Sequence, residues 1–408
     1  MKIRSLTVFF SPRQALKASQ FAPLGKFAAA AKTVFEDSGY EIQTLRLATT
    51  PFPLWVRSLT QSRAVEAAVA LETLAFEAGF GYVSLGPALP EVAESYAFIP
   101  DLLAATQSAF FSAVIADAKV DIDMPALRNS ALVMQKASLL EENGFANLRF
   151  AALANVPAGS PFFPAAYHAG ATPKFAIATQ AADLAVAAFA DAVSIAQGSR
   201  VLTQSIQKHA QVMASLALRL ARKHKISFGG IDFSLAPFPS ERESLGTAFE
   251  SMGLPAVGLQ GSLAAAAILT QAIDAARFPR AGFNGLLLPP LEDSILAKWA
   301  AEGVLTVNDL LLYSAVCGTG LDTVPLPGNT SPGQLSALLL DLAALALRLD
   351  KPLTARLMPI PGAVAGDETH FDFPFFANSR VMALKSEPLQ GAFAASQTIA
   401  LAKRKLAK

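Results

Sequence analysis

Short apolar segments that run into proline recur along the whole chain, separated by longer segments of helical composition. Residues 3–10 stop before Pro12, and residues 355–358 stop at Pro359. Proline cannot donate to a sheet ladder and restricts the residue before it, so it ends a strand. Strands that are apolar throughout are typical of parallel sheets with helices on both faces. The pattern therefore predicts an α/β protein with rigid strand exits, the place where such sheets bind ligands.

About ten such strands are predicted, with helices between them. One helix is expected from Pro100 to about residue 116, and another begins at Pro125, because proline suits a first helical turn. No long linker or low-complexity tract divides the chain. We therefore expect residues 1–408 to form one large barrel-like domain, with halves at about 1–225 and 226–408. The predicted strands are residues 3–10, 41–47, 82–85, 148–154, 175–179, 231–235, 256–259, 283–288, 321–324 and 355–358.

Composition narrows the class of protein. Lys plus Arg number 33 against 32 Asp plus Glu, a balance that argues against a nucleic-acid binder. Hydrophobic residues reach 52% and charged residues only 16%, which indicates a large core and favours a homo-oligomer that hides further apolar surface. One cysteine fits a reducing compartment. No signal peptide or clean apolar run of ~20 residues is evident, so we expect a cytoplasmic protein without a membrane partner.

Six long segments carry a resemblance to a known family. They are GFANLRFAALANVPAGSPFFPAAYH, GGIDFSLAPFP, LPAVGLQGSLAAAAILTQAID, LLLPPLEDS, AVCGTGLDTVPLPG and ARLMPIPGAVAGD. In these segments the chain resembles the DUF711 family, which is related to UPF0210, over nearly its whole length. The resemblance implies a fold like that of the pyruvate formate-lyase-like glycyl radical enzymes. That fold is a ten-stranded α/β barrel of two parallel five-stranded halves with helices outside, and no established activity comes with it.

The fold resemblance does not bring radical chemistry with it. Glycyl radical enzymes need a C-terminal glycine loop, typically Arg-Val-x-Gly-Tyr, and a cysteine at a loop tip. The C-terminal region LQGAFAASQTIALAKRKLAK contains no such loop. A shared fold does not imply a shared function, so we expect no glycyl radical.

Two aspartates and one arginine lie within predicted strands, where a charge needs a partner. Asp232 and Asp322 are the acids, and Arg356 in the last strand is the obvious partner. The pair could be purely structural. Alternatively, Arg356 could hold a substrate carboxylate or phosphate through its bidentate fork.

His168 ends the strand exit PFFPAAYH and follows Asn155 in the same loop. A loop histidine could be an acid, a base or a ligand, or it could be hydrogen-bonded within a tight loop. A closed barrel could bring His168 to the strand C-termini together with Asp232, Asp322 and Arg356. A single arginine is too little compensation for two buried carboxylates, so such a site would need a cation, water or ligand donors.

Further candidates have simpler structural explanations. Cys317 could be a nucleophile, but its expected place at a helix C-terminus raises a thiol pKa, so a small buried cysteine is favoured. Glu292 and Asp293 follow two prolines and could bind substrate or start a helix. Gly261 and Ser262 could bind an anion at a helix N-terminus, although that pairing is common.

Asp367 and His370 belong to an acidic turn after the last strand exit. That turn could bind a divalent cation or be a solvated loop. Taken together, the candidates favour an enzyme that acts on a small anionic metabolite by acid/base chemistry at the strand ends. The alternative is a non-catalytic metabolite-binding or regulatory protein that works as an oligomer. The sequence identifies no cofactor.

Overall fold

The computed structural model describes residues 1–13 and 15–403. This part of the chain is a mixed α/β fold built on an 11-stranded sheet. The strands are β1 (Lys2–Phe10), β2 (Ile42–Thr49), β3 (Tyr82–Ala88), β4 (Ala109–Asp117), β5 (Asp121–Asp123), β6 (Phe150–Ala154), β7 (Lys174–Gln180), β8 (Ser227–Asp232), β9 (Gly320–Pro327), β10 (Leu353–Ile360) and β11 (Thr398–Ile399).

Helices connect most of the strands. Several begin as the sequence suggests: Pro125 lies in the first turn of its helix, and Thr306 and Ser331 each complete a capping box. The α-helices are α1 (Ala18–Glu36), α2 (Phe52–Trp55), α3 (Gln61–Glu77), α4 (Ser95–Ala105), α5 (Met124–Ala137), α6 (Ala182–Phe189), α7 (Ile195–His224), α8 (Leu245–Ser251), α9 (Ser262–Ala275), α10 (Ser294–Ala301), α11 (Val307–Tyr313) and α12 (Pro332–Leu349).

The sheet has a parallel centre and two antiparallel flanks. Strands β1, β2, β3, β4 and β6 lie side by side and all run parallel. On one side β7 joins β1 antiparallel and β8 joins β7 parallel. On the other side β10 joins β6 antiparallel and β9 joins β10 parallel. The short strands β5 and β11 pair antiparallel beside β4.

Residues 280–286 lie along the outer side of β8 without forming a named strand. Isolated bridges join Ile231 to Arg280 and Leu235 to Leu286, both parallel. The next link leads to the start of β9, because the Gly318 N–H donates to the Leu286 carbonyl at 2.9 Å. This segment therefore connects the two flanks through single bridges and hydrogen bonds.

One predicted helix is wrong, and two predicted strands are reduced to isolated bridges. The helix expected from Pro100 to about residue 116 runs from Ser95 to Ala105 with Pro100 in its interior, and Ala109–Asp117 is β4. Its sequence AFFSAVIAD is buried almost throughout, as in a central parallel strand. Residues 256–259 form only an isolated bridge between Val257 and Leu259, and residues 283–288 contribute only the bridge at Leu286.

One helix among the described residues passes a composition test for a membrane span. It is α12, with a mean hydropathy of 1.3, and half of its tested residues are buried inside the protein. It packs against α5 and β10. Its buried face includes Leu335, Leu339 and Leu342, which belong to the largest core cluster. These contacts are those of a core helix.

The inner segment, residues 155–170, covers the face of the sheet opposite the helices. Along β1, Leu6 and Val8 point into the large helical core, whereas Phe9 packs with Phe163 of the inner segment. Buried hydroxyls hold the segment to the sheet, since Ser84 Oγ donates to the Ala166 carbonyl at 2.7 Å. The sheet is therefore covered on both faces.

Candidate functional site

A β-bulge turns Arg4 toward the inner face of the sheet. In the pairing of β1 with β7, Ile3 faces Thr179 and Ser5 faces Ala178, so Arg4 is the extra residue. A bulge breaks the alternation of side chains along a strand. The Ser5 hydroxyl faces the Pro161 carbonyl on the inner side, and Arg4 reaches Glu292 there.

A second bulge lies opposite Arg356. Between β9 and β10, the two residues Asp322 and Thr323 face this single residue. Thr323 has φ 43°, a left-handed conformation that is rare for a β-branched residue. Backbone outliers of this kind cost roughly 1–3 kcal/mol and cluster at ligand sites and active sites.

Arg356 is bonded through every nitrogen of its guanidinium. Nε donates to Asp322 Oδ1 at 2.6 Å, and Nη2 donates to Glu292 Oε1 at 2.8 Å. Nη1 donates to the Leu148 carbonyl at 3.3 Å. The predicted pairing of Asp322 with Arg356 is therefore present, but Glu292 shares the same arginine. The fork that could have held a substrate anion is occupied by protein groups.

Two further arginines complete the cluster. Arg4 Nη2 bonds to Glu292, whereas its Nη1 is buried without a partner in the described part of the chain. Arg46 Nε donates to Thr44 Oγ1 at 2.8 Å, and its guanidinium lies 5.1 Å from the Phe163 ring centre. The cluster thus has three guanidiniums for two carboxylates. It carries one positive charge in excess even when both carboxylates are ionised.

A cavity of about 70 Å³, here called the interior cavity, adjoins these charges. Such a space holds more than one water-sized group. Its charged wall consists of Arg4, Arg46, Glu292 and Arg356, and its apolar wall is mostly aromatic. The aromatic side chains come from the sheet, the inner segment and the C-terminal region: Tyr82, Phe110, Phe162, Phe163, Phe373 and Phe375.

Burial and charge act differently on the two carboxylates. Burial raises the pKa of Asp322, and Arg356 offsets this only in part because it is shared with Glu292. Burial acts in the same direction on Glu292, but Arg4 and Arg356 lower its pKa below the ordinary value. Asp322 Oδ2 has no hydrogen-bond partner among the described residues. Asp322 is therefore the under-compensated acid of the cluster.

Arg46 is the under-compensated base. Burial, together with the charge of Arg4, lowers the pKa of Arg46 to about 9. The guanidinium still carries its charge at neutral pH. No salt bridge involves Arg46 in the part of the chain that the structure describes.

His168 lines a different cavity, here called the His168 cleft, and Asp232 lies behind the wall of that cavity. The cleft is lined in part by Phe9, His168, Gly282 and Asn284. Asp232 lies beneath it, and its Oδ1 accepts from the Asn284 N–H at 2.9 Å. Within the described residues, no hydrogen bond joins either group to the Arg356–Asp322 pair. The structure thus joins two of the four predicted residues directly and gathers the other two elsewhere.

Asp293 lies next to Glu292 but has a different role. It is the N-cap of α10, where its Oδ1 accepts from the Leu296 N–H at 3.1 Å. Its Oδ2 also accepts from the Leu245 N–H at 2.6 Å, at the first turn of α8. Asp293 therefore caps two helices at once, in line with the helix-start interpretation and not with substrate contact.

The glycine–serine helix start and the cysteine make internal contacts. Ser262 is buried, and its Oγ accepts from the Gly258 N–H and donates to the Leu259 carbonyl. Gly261 is exposed at the N-cap of α9. Cys317 is buried beyond the end of α11, and its carbonyl accepts from Lys351.

The remaining candidates lie at the surface or in turns. Asn155 is half-buried, and its amide donates to Asp350 at 3.4 Å. Asp367 is exposed and accepts from the Val364 N–H at 2.8 Å, and His370 is also exposed. Over residues 1–13 and 15–403, no group of three or more His, Cys, Asp or Glu side chains is placed to hold a metal ion.

Sequence reasoning missed Arg4 and Arg46. Each arginine lies near the end of a predicted strand, where an exposed charged side chain is ordinary. The signal available was a charge inside a predicted strand, the argument that selected Asp322 and Arg356. The bulge that turns Arg4 inward leaves no pattern in a single sequence.

Comparisons with known proteins agree on one family. The family described as "Uncharacterised ACR (DUF711)" matches residues 1–378. A UPF0210 protein of Pyrobaculum arsenaticum is 32% identical over 83% of this chain and 78% of its own length. A UPF0210 protein of Acetivibrio thermocellus is 28% identical over 82% of this chain and 78% of its own length. The chain therefore belongs to the DUF711 family.

Proposed function

We propose that the chain is an enzyme that takes a small anionic molecule into the interior cavity, where Arg4 and Arg46 bind the anion. The observation that carries this proposal is the charge excess of the buried cluster. Arg4 Nη1 is buried without a partner among the described residues, and the half-buried Arg46 is paired with no described carboxylate. Cations that are shielded from water and lack a counter-ion are costly, and an anionic ligand would supply the missing charge. Arg356, our earlier candidate for this role, positions Asp322 and Glu292 instead.

The aromatic wall sets the class of ligand. Six aromatic side chains face the same cavity as the two available arginines. Such a pocket fits a molecule with one anionic group and a compact, mainly apolar body. The ring faces would also attract the guanidinium groups that hold the anion. A small monocarboxylate matches this chemistry better than a highly charged polyphosphate.

Asp322 is the proposed acid/base group; its side chain does not line the interior cavity itself but is bonded to Arg356, which does. Its Oδ2 is buried without a partner among the described residues, and burial raises its pKa above the ordinary value, which favours uptake of a proton. The strained backbone of Thr323 directly follows it. Perturbed carboxyls and strained backbone together favour a reactive site over a structural ion pair.

A non-catalytic binding protein is the alternative. Glu292 lines the cavity, but two arginines hold it in its ionised form, which makes it a weak base. Exposed apolar side chains such as Phe76 and Leu54 support an oligomer of either kind. Turnover in a metabolite screen separates the two functions, because a sensor would bind a ligand without consuming it.

The binding proposal is tested with Arg46→Met. We expect its melting temperature to match or exceed that of the wild type, because it removes a half-buried cation that has no carboxylate partner among the described residues. Stabilisation by formate or acetate, which are small enough for this cavity, should weaken about tenfold or more in a thermal shift titration, the effect of losing a charged hydrogen bond.

Arg356→Met is the matched control. It leaves Asp322 and Glu292 without their shared cation, so it should cost ~3–5 kcal/mol of stability before any ligand is added. Equal destabilisation by the two variants, or undiminished carboxylate binding by Arg46→Met, would argue against an anion site at Arg46.

We also propose that the sheet closes into the ten-stranded barrel, with residues 280–288 as the missing strand. The bridges from this segment to β8, and the hydrogen bond from Gly318, support that closure. Amide hydrogen exchange tests it. The Gly318 amide should be protected from exchange as strongly as the amides of the core strands. Fast exchange of this amide would show that the sheet is open at this point.

A further inference from the structure

The His168 cleft is large enough for a ligand of its own. Its volume is about 450 Å³, within the range of ~300–1,000 Å³ usual for small-molecule sites. It opens at the C-terminal end of β1, marked by Phe9, and at the loop that follows β6. The C-terminal ends of parallel strands are the usual ligand-binding edge of an α/β sheet. Of the residues lining the two cavities, none is shared.

The charge that lines the cleft is positive. Lys174, the exposed first residue of β7, lies on one side, and Arg280 lies on another. Arg280 Nη2 donates to the Ile273 and Ala276 carbonyls at 2.7 and 2.9 Å, so the C-terminus of α9 holds the guanidinium in place. No described lining residue is acidic. The nearest carboxylate, Asp232, lies beneath Gly282.

Asp232 is satisfied internally. Its oxygens accept from the Ser234 hydroxyl and from the N–H groups of Phe283 and Asn284. Gly282 lies between Asp232 and the cleft, and it packs so closely that a Cβ added at Gly282 would collide with Asp232 Oδ2. The carboxylate thus supports the floor of the cleft, and its acceptor capacity is largely used by protein donors.

His168 contributes an unused polar atom. The residue is only 2% exposed and its backbone N–H donates to the Thr49 carbonyl at 2.9 Å. Its Nε2 is buried and has no hydrogen-bond partner in the described chain. Buried polar atoms without a partner are rare and need an explanation. A ligand group seated in the cleft would supply one.

The protonation state of the His168 imidazole indicates which kind of ligand group it can bind. Burial lowers the pKa of His168, Lys174 adds to that effect, and a hydrogen bond with the Thr172 backbone opposes it. The imidazole is then neutral at neutral pH. When one ring nitrogen donates to the Thr172 backbone, the other offers a lone pair. Nε2 would therefore accept a hydrogen bond from a ligand hydroxyl.

We propose that the His168 cleft is a second ligand site, for a small molecule that carries both an oxyanion and a hydroxyl group. Lys174 binds the oxyanion, the positive charge of Arg280 at the end of α9 lies nearby, and His168 Nε2 accepts from the hydroxyl. The oxyanion is a phosphate or a carboxylate, since a lysine and an arginine at a cleft suit either. This site does not depend on the interior cavity or on the function proposed there.

Calorimetric titration of the full chain with glycerol 3-phosphate and with glycerate tests the proposal and separates the two oxyanions. One of the two should bind saturably, and glycerol should not. Lys174→Gln should weaken that binding about tenfold, because it removes a charged partner from an exposed position that tolerates substitution. Lys223→Gln, which changes an exposed lysine on α7, should leave the affinity unchanged.

His168→Phe keeps an aromatic ring but removes the acceptor. It should weaken glycerol 3-phosphate or glycerate several-fold more than it weakens sulfate or formate, which carry no hydroxyl. Arg46→Met should leave binding at the cleft intact, so failure at the interior cavity stays distinguishable. Binding of both probes weaker than about 10 mM, or equal affinity in Lys174→Gln and wild type, would overturn the proposal.

Discussion

At the scale of single residues, this protein is defined by a cluster of charges that is largely shielded from water. Arg356 balances two carboxylates, and Glu292 in turn balances two arginines. The arrangement leaves Asp322 with too little positive charge and Arg46 with too little negative charge. Asp322 and Arg46 carry opposite charges, yet they do not pair with each other. Asp322 is bonded to Arg356, and Arg356 is bonded to Glu292. A ligand is the simplest remaining partner.

The imbalance at Asp322 predicts a specific pH dependence. Its pKa is raised above the ordinary value of 3.8, so the folded state binds this proton more tightly than the unfolded chain does. The resulting stability is complete at low pH and is lost as pH rises through the folded pKa. The free energy of unfolding of wild type, minus that of Asp322→Asn, should therefore fall as pH rises above about 4.

The measurement is denaturant unfolding of both variants across pH 4 to 8. Because Asn keeps an acceptor for Arg356 Nε, the variant should fold, and it should lose any turnover that the metabolite screen detects. A difference that instead grows with pH would mean that the folded state prefers the ionised aspartate. Asp322 would then be a member of a structural ion pair.

At the scale of elements, irregularities in the strands build the candidate sites. The bulge in β1 turns Arg4 inward, and the bulge in β9 aligns Asp322 with Arg356. A third register shift, between β7 and β8, lies at Gly229 beside the His168 cleft. Regular strands would point alternate residues to opposite faces. The inner segment then fills the face that these side chains share.

Two neighbouring strands provide a matched test of how the inner segment is held. Ser84 on β3 and Ser112 on β4 are both fully buried. Ser84 Oγ donates to the Ala166 carbonyl at 2.7 Å, whereas Ser112 Oγ has no partner among the described residues. Ser84→Ala should lower the free energy of unfolding by about 1–3 kcal/mol, because it leaves the buried Ala166 carbonyl without its donor. Ser112→Ala should be neutral or stabilising, since it removes an unsatisfied hydroxyl.

Urea unfolding measures both changes as shifts of the midpoint at constant slope. Equal losses in the two variants would show that packing around the strands, and not the hydrogen bond to Ala166, holds the inner segment. A loss confined to Ser84→Ala would attribute the anchoring to that bond.

At the scale of the whole molecule, the sheet joins the two halves of the chain. Strand β10 pairs with β6, and β7 pairs with both β1 and β8. A cut near Lys225 would therefore separate β6 from β10 and β7 from β8, so that each of these pairings would be lost. Core residues from both halves also share one hydrophobic cluster. These contacts are the basis for expecting one cooperative domain.

We predict that limited trypsin digestion yields no pair of stable halves that meet near Lys225. The exposed basic end of α7 offers cleavage sites, so the absence of stable halves would reflect coupling between them. Fragments 1–225 and 226–408, produced separately, should each lack a cooperative unfolding transition. Two fragments that unfold cooperatively on their own would contradict the single domain.

The sequence by itself determined most of the strands, the α/β class and the family. Continuous apolar runs ended by proline are a local signal that does not depend on distant residues. The run Ala109–Asp117 has no proline at its end, and a helix is predicted there instead of β4. The residues that needed a charge partner, Asp322 and Arg356, were also evident, because a charge inside an apolar strand is costly wherever it folds.

Only the tertiary structure decided which charges meet. Glu292 and Asp293 are adjacent in sequence, yet one enters the cluster and the other caps two helices. Arg4 and Arg46 joined the cluster through a bulge and through strand neighbours far along the chain. His168 and Asp232 were drawn to another cavity by the inner segment and by residues 280–284. Pairings of this kind depend on register and strand order, and local sequence carries almost no information about either.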